Sequence, residues 1–258
     1  MKFRIYVLAA IGLIAISATC RDKALSVEEP FSLEDRFHEA MSLYEQGQYA
    51  KAAEAFKSVA QHNPIHTYTD DAEYYLGMCY LKTGKPSEAS SSFNKIVQYF
   101  PNSEFAPLAY IGLARAYLNE APILYRDQSK TTDKAIITIE TFLRKYPDHE
   151  KVPEAKAILA EARDRLAAKE LVAIRVYENL MKYEAELHYA DLCIQEFPES
   201  RLVWQAKLYR ARALYFLLRD DEALATLGEI ESSTEAGSDV KAEAIILRNQ
   251  ILARKQLK

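Results

Sequence analysis

The sequence predicts an all-α fold: a solenoid of about five helix–turn–helix repeats with an insertion after repeat three. Three observations carry this. Apolar residues recur at helical spacing along the chain, and no segment alternates with period two for long enough to demand a strand. Residues Phe37 to Pro64, FHEAMSLYEQGQYAKAAEAFKSVAQHNP, read as a helix, a turn at Gly47, a second helix and a stop. That ending is then copied. Pro64, Pro101, Pro147 and Pro198 stand 37, 46 and 51 residues apart, and the last three each follow an aromatic residue. One helical hairpin cannot bury its own apolar face, so it needs neighbours that cover it.

In the first hairpin, Phe37, Ala40, Met41, Leu43 and Tyr44 form one stripe. Tyr49, Ala52, Ala53, Phe56, Val59 and Ala60 form the other. The small residues Ala40, Ala52 and Ala53 let the helices approach, and Tyr49 and Phe56 fill the space beside them. Gly47 supplies a turn conformation that other residues adopt with strain. Pro64 lacks the amide hydrogen that would continue the helix. Ser32 is the expected N-cap, with Glu34 and Asp35 in the first turn.

The second copy reads Leu76-Gly77-x-x-Tyr80, then Gly84, Ala89, Phe93 and Pro101, with Asp70 or Asp71 expected to cap its first helix. The third reads Tyr110-x-x-Leu113-Ala114-x-x-Tyr117, with Asn102-Ser103 capping a helix from about Glu104. This order resembles the tetratricopeptide repeat, in which a large residue, Leu-Gly, Tyr, Ala, Phe and Pro recur over about 34 residues. Copies one and two match it well, copy three in its first helix, and copies four and five are degenerate.

Pro122 breaks the third repeat, and ILYRDQSKTT, Ile123 to Thr132, reads as a loop before a helix from Asp133 to Tyr146. From Glu154 to about Met181 the pattern is helical without a break, as one long helix or two with a bend. A helix from about Glu184 ends at Pro198. Trp204, Leu208, Ala211 and Tyr215 open the last pair, and Ala223, Leu227 and Ile230 continue it. Val240 to Lys258 is expected to close the array with charges on its outer face, as a solenoid cap requires.

With 258 residues, 49% of them hydrophobic, the chain can bury the core of one elongated array. Net charge is -4 with both signs interspersed, so the basic stripe of a nucleic-acid binder is missing and no nucleic-acid partner is expected. Lys2 and Arg4 precede the apolar run Ile5 to Ala18. That run is shorter than the roughly 20 residues of a membrane span. It has the charged and apolar regions of a secretory signal.

Cys20 follows Ser17-Ala18-Thr19, a stretch that resembles the cleavage box of bacterial lipoproteins, in which the Cys becomes the lipidated first residue. Ser17 and Thr19 stand where that box prefers Leu and a small Gly or Ala, and cleavage near Ala18 is the alternative. The expected organisation is a signal peptide over 1–19, a lipidated Cys20 with a tether to 33, and the repeats over 34–258, split into 34–147 and 148–258. Arg21 after Cys20, rather than Asp, points to the outer membrane. Cys79 and Cys193 lie on apolar faces of different repeats and are expected to be buried free thiols.

No catalytic constellation is legible. His38, His62, His66, His149 and His188 are scattered, and no pair has helical zinc spacing. Neither a Gly-x-Ser-x-Gly elbow nor a CxxC is present. The expectation is a protein that is not an enzyme and has no cofactor and no metal. An enzyme hidden in the C-terminal half would need a pocket of converging ionisable groups, which the sequence does not offer.

Arg126-Asp127-Gln128 ahead of a helix ending Leu143-Arg144-Lys145-Tyr146-Pro147, and Asp164-Arg165-Leu166-Ala167-Ala168-Lys169-Glu170 followed by Ala173 and Tyr177, sharpen the resemblance. With the exported, lipoprotein-like start, they make the chain similar to the BamD family (YfiO, ComL), tetratricopeptide lipoproteins of the outer-membrane β-barrel assembly machinery. That resemblance implies a scaffold on the periplasmic face of the outer membrane. It would bind the barrel-forming subunit through its C-terminal repeats, the helices Val152 to Met181 and Val203 to Lys258. Its N-terminal repeats would take unfolded β-barrel outer-membrane proteins. Arg126 and Asp127 would order the insertion by hydrogen bonds, with contact to a partner as the alternative or additional role. The alternative is another periplasmic tetratricopeptide adaptor of envelope maintenance or division.

Aligning Gly47 with Gly84 as turn glycines places Phe37, Met41 and Tyr44 of repeat one in a groove. Tyr74, Met78, Leu81 and Lys82 of repeat two and Ile111, Arg115 and Leu118 of repeat three join them. Aromatics and methionines give an adaptable apolar surface. Lys82 and Arg115 could pair with a terminal carboxylate.

Overall fold

The computed structural model describes residues 32–62, 68–120 and 129–256. Cys20, Pro64, His66, Pro122, Arg126 and Asp127 lie outside them. Eleven α-helices make up the described residues. They are α1 (Leu33–Glu45), α2 (Tyr49–His62), α3 (Thr69–Lys82), α4 (Pro86–Tyr99), α5 (Ala106–Glu120) and α6 (Ser129–Lys145). After these come α7 (Val152–Asn179), α8 (Tyr183–Glu196), α9 (Val203–Phe216), α10 (Asp220–Ser232) and α11 (Ser238–Gln256). Each helix packs on the next in sequence, and the odd-numbered helices from α3 to α11 also touch their odd-numbered neighbours. The array is therefore five hairpins and a final helix, the tetratricopeptide architecture, with the odd helices as its inner layer.

Local chemistry explains the boundaries. Ser32 caps α1 in a capping box: its Oγ accepts from the Asp35 amide at 3.1 Å, and the Asp35 carboxylate accepts from the Ser32 amide at 3.1 Å. The α3 cap departs from expectation. Tyr68 holds the N-cap position without capping the helix through its side chain, while Asp70 and Asp71 lie inside the first turn. Helix α5 starts at Ala106, two residues later than the sequence suggests, after Ser103 Oγ accepts from the Phe105 amide. Helix α6 starts at Ser129, so the last four residues of the expected loop are helical. Helix α7 is a single helix of 28 residues.

The repeated aromatic-Pro endings have one backbone pattern. The carbonyl of Phe100 accepts from Ser103, whose carbonyl accepts from Ala106. Tyr146, His149 and Val152 repeat this ladder, and so do Phe197, Ser200 and Val203. Proline removes the donor that would otherwise extend the preceding helix.

The turns within hairpins are also uniform. Gly47 and Gly84 adopt φ of 74° and 70°. The next residue bonds back to the carbonyl five residues earlier, Gln48 to Leu43 and Lys85 to Tyr80. This is the glycine-ended helix cap. Repeats four and five make the same turn without glycine: Met181 and Leu218 sit at φ of 55° and 60°. A side chain there costs about 1–2 kcal/mol.

Apolar burial is continuous from α1 to α11. Ala40, Ala52 and Phe56 are wholly buried at the first hairpin, as the spacing predicts. Cys79 and Cys193 are buried free thiols, and burial pushes each up to about 12, so neither is a nucleophile at neutral pH. The Asp164-Arg165 pair staples successive repeats. Asp164 accepts from Ser200 Oγ at 2.6 Å and from the Arg201 amide, while Arg165 donates to the Leu118 carbonyl at 2.5 Å and to Glu161.

Helix α11 contradicts the expected polar cap. Its outward face carries Ile245, Ile246 and Leu252, all exposed. The charges beside them turn back onto the body: Arg248 binds Glu231, Arg254 binds Asp220, Lys255 binds Asp221 and Glu243 binds Arg212.

Candidate functional site

The first three repeats carry a continuous aromatic band on α1, α3 and the start of α5. Phe37 stacks on Tyr68 at 5.1 Å, and Tyr44 meets Tyr75 edge-on at 5.3 Å. Tyr75 stacks on Phe56 at 5.5 Å and touches Tyr74, which stacks on Phe105 at 4.7 Å. Such ring pairs add about 0.5–1.5 kcal/mol each beyond area burial, so the band is rigid.

The positions taken from repeat alignment divide. Phe37, Ile111 and Leu118 are buried at 8%, 7% and 1% exposure, so they form the wall behind the surface rather than its lining. Phe37 is covered by Phe56 and Tyr68. Ile111 and Leu118 belong to the core shared with Ile139, Phe142 and Ile158. Helical phase alone does not reveal this, because an inner helix is covered on both flanks by neighbouring repeats. Met41, Tyr44, Tyr74, Met78 and Leu81 are half-buried, each with part of its surface free.

The two basic positions differ. Lys82 is exposed and has no ion pair among the described residues. Arg115 faces Glu161 at 3.2 Å, and Glu161 also binds Arg165 at 2.7 Å. Tyr75, Tyr68 and Phe105 were missed by alignment. The doublet Tyr74-Tyr75 was the available signal: two adjacent aromatics on one helix cannot both point into its core.

Charge on the band is uneven. Burial raises the Asp71 carboxyl to about 6, with Asp70 and Glu104 pushing the same way. Burial also raises the Tyr75 hydroxyl, which Asp71, Glu104 and Glu45 raise further. Burial drives the Tyr74 hydroxyl up to about 12. The end near Asp71 therefore repels anions, and an anionic ligand is directed to the Lys82 end. Chemically, the surface can hold apolar and aromatic side chains with a carboxylate at one end. Among the described residues no group of three or more His, Cys, Asp or Glu is placed to hold a metal ion.

A second exposed apolar surface lies in repeats four and five. Val172 and Val176 on the C-terminal half of α7 and Leu180 at its C-cap follow one another at i, i+4 and i+8, at 46%, 50% and 60% exposure. They lead to Met181, 72% exposed. The neighbouring hairpin tip shows Phe216 and Leu218, and Tyr183 joins the tips by stacking on Phe216 at 4.4 Å.

The chain is similar to known proteins. The model of a family described as YfiO, outer membrane lipoprotein, matches residues 32–225. Outer membrane protein assembly factor BamD of Xylella fastidiosa (strain 9a5c) is 22% identical over 202 residues, 75% of this chain and 69% of that protein. BamD of Rickettsia prowazekii (strain Madrid E) is 23% identical over 211 residues, 82% of each. A solved thermophilic TPR protein of Thermus thermophilus is 17% identical, over 84% of this chain and 98% of that chain, with a TM-score of 0.39. With one family model matching from the N-cap of α1 into α10, the chain belongs to the YfiO family of outer-membrane lipoproteins.

Proposed function

We propose that this chain is a non-catalytic scaffold of outer-membrane protein assembly, anchored at the periplasmic face by lipid on Cys20. Its C-terminal repeats dock the barrel-forming subunit. The aromatic band of repeats one to three receives the C-terminal segment of unfolded barrel proteins. Membership of the family and the BamD relatives support the role. The observation that carries the docking reading is the exposed apolar surface from Val172 through Met181 to Leu218. Apolar side chains held in left-handed turns lower stability, and a partner surface is a physical reason to keep them.

Met181→Gly and Leu218→Gly test this with two readouts of opposite sign. Each should stabilise the chain by about 1 kcal/mol, by removing backbone strain. Together they should reduce copurification of the barrel-forming subunit from mildly solubilised membranes. A stabilised variant that captures the subunit as well as the parent would remove these tips from the interface. Capture of a different envelope protein by the parent would point to another adaptor role.

The peptide surface is tested separately. Tyr44→Ala with Tyr74→Ala should weaken binding of a peptide ending in an aromatic residue and a free carboxylate by more than about tenfold, since a packed aromatic anchor is worth about 2 kcal/mol or more. Amidating the peptide's carboxylate should lose affinity in the parent and none in Lys82→Ala. Fluorescence anisotropy reads both, and equal affinity of double variant and parent would exclude a groove built on these rings.

A further inference from the structure

Among the described residues, four hairpin turns place a residue at positive φ: Gly47, Gly84, Met181 and Leu218. In each, that residue donates its amide to the carbonyl three residues earlier, on Tyr44, Leu81, Glu178 and Tyr215 in turn. The two turns made without glycine have a further tie. An arginine from the next odd-numbered helix reaches the residue three before the turn. Arg212, on α9, pairs with the Glu178 carboxylate. Arg254, on α11, donates to the Tyr215 carbonyl at 2.9 Å. Tyr44 and Leu81, before the glycine turns, have no such tie among the described residues.

The tie through Arg254 closes the whole turn. The Nη2 that donates to Tyr215 also donates to the Asp220 carboxylate. The guanidinium lies over the Tyr215 ring, 3.9 Å from its centroid. Tyr215 precedes the turn and Asp220 follows it, so one nitrogen joins both ends of the segment that carries Phe216 and Leu218. The Asp220 side chain is only 10% exposed, so solvent screens this pair little. The neighbouring pair of Lys255 with Asp221 lies in solvent and contributes little. An apolar side chain at positive φ persists only where its surroundings fix it, whereas glycine needs no such support.

We propose that Arg254 is a positioning residue for the docking tip of repeat five, latching Tyr215 to Asp220 so that the turn between them displays Phe216 and Leu218. The assignment rests on the reading of these tips as the docking surface for the barrel-forming subunit. Helix α11 then shapes that surface without forming part of it. The latch sits where the backbone is strained, which separates it from an ion pair that only adds stability.

The test removes the latch without leaving a buried charge alone, by Arg254→Met together with Asp220→Asn. Hydrogen exchange is followed by mass spectrometry on the purified full chain in mild detergent at one pH. Peptides spanning the Leu218 turn should exchange faster by about tenfold or more, the loss expected for a charged hydrogen bond. Peptides from α1 to α4 should keep the rates of the parent. In a Leu218→Gly background the same pair of changes should accelerate exchange far less, because a turn without strain needs no latch. A contact that only adds stability would give equal acceleration in both backgrounds, and that result would overturn the proposal. So would unchanged exchange at the turn. Capture of the barrel-forming subunit from mildly solubilised membranes should fall when the latch is removed. Latch-dependent exchange with full capture would refute the docking reading and leave the latch standing.

Discussion

Phe93→Ala is expected to lower the unfolding free energy by about 3–5 kcal/mol, the range for deleting a wholly buried aromatic ring. Phe93 has no exposed surface. Its ring is clamped between α3 and α5: a Cβ built on Gly77 would stand 2.8 Å from it, and one on Gly112 would stand 2.5 Å away. Tyr74 closes a third side edge-on at 6.0 Å. The cavity would be walled by three helices whose own packing resists collapse. At roughly 2–4 °C per kcal/mol for a chain of this size, thermal melting should fall by roughly 10 °C.

The same geometry reverses a usual rule at Gly112. Alanine in a helix interior is normally about 1 kcal/mol better than glycine. Here the added methyl group meets a fixed ring, and overpacking of that kind costs about 1–3 kcal/mol. Gly112→Ala should therefore destabilise the parent and stabilise the Phe93→Ala background, where the ring is gone. A double-mutant cycle by urea denaturation measures that change of sign. Additive effects would mean that the ring and the glycine do not touch.

Glu186→Met is expected to stabilise the protein by about 3 kcal/mol at pH 8 and by far less at pH 5. Glu186 is wholly buried in the first turn of α8, and neither carboxylate oxygen has a hydrogen-bond partner among the described residues. Burial raises its carboxyl from 4.5 to about 7; Glu178 pushes the same way and Arg212 opposes. The sign follows from which state holds the proton more tightly. The folded chain does, so stability is highest below the unfolded value near 4.5, falls as pH rises to about 7, and is level above.

Arg212 cannot neutralise Glu186 fully, because it is already engaged by Glu178 and by Glu243. Methionine has a similar length, no charge, and the flexibility to fill the space. The difference in urea midpoint between variant and parent, followed from pH 5 to pH 8, isolates this group from all others that titrate. A difference independent of pH would show that Glu186 remains equally charged in the folded and unfolded chains.

Helical hairpins, and the order in which they follow one another, are legible in the residues alone. Spacing that places Ala40, Ala52, Phe56, Ala89 and Phe93 toward a neighbour depends only on helical period, and all five are buried. Gly47 and Gly84 announce their turns because glycine alone reaches positive φ without strain, and the aromatic-Pro endings announce theirs because proline cannot donate. Packing between helices adds what a one-dimensional pattern does not contain. Met181 and Leu218 make the same turns as the glycines, and only the packing of α7 on α8 and α9 on α10 holds them there.

Phe37, Ile111 and Leu118 share a helical phase with Tyr44, Tyr74 and Leu81, yet they are covered because the neighbouring helix falls over them. Glu186 reads as one more acid near a helix start, and its burial exists only where α7, α8 and α9 meet. The charges of α11 read as a polar cap, but their partners lie on other helices, from Arg212 on α9 to Glu231 on α10, and those ion pairs turn the charges aside. Local period is set by the chain's own stereochemistry, whereas exposure is set by which residues distant in sequence arrive beside it.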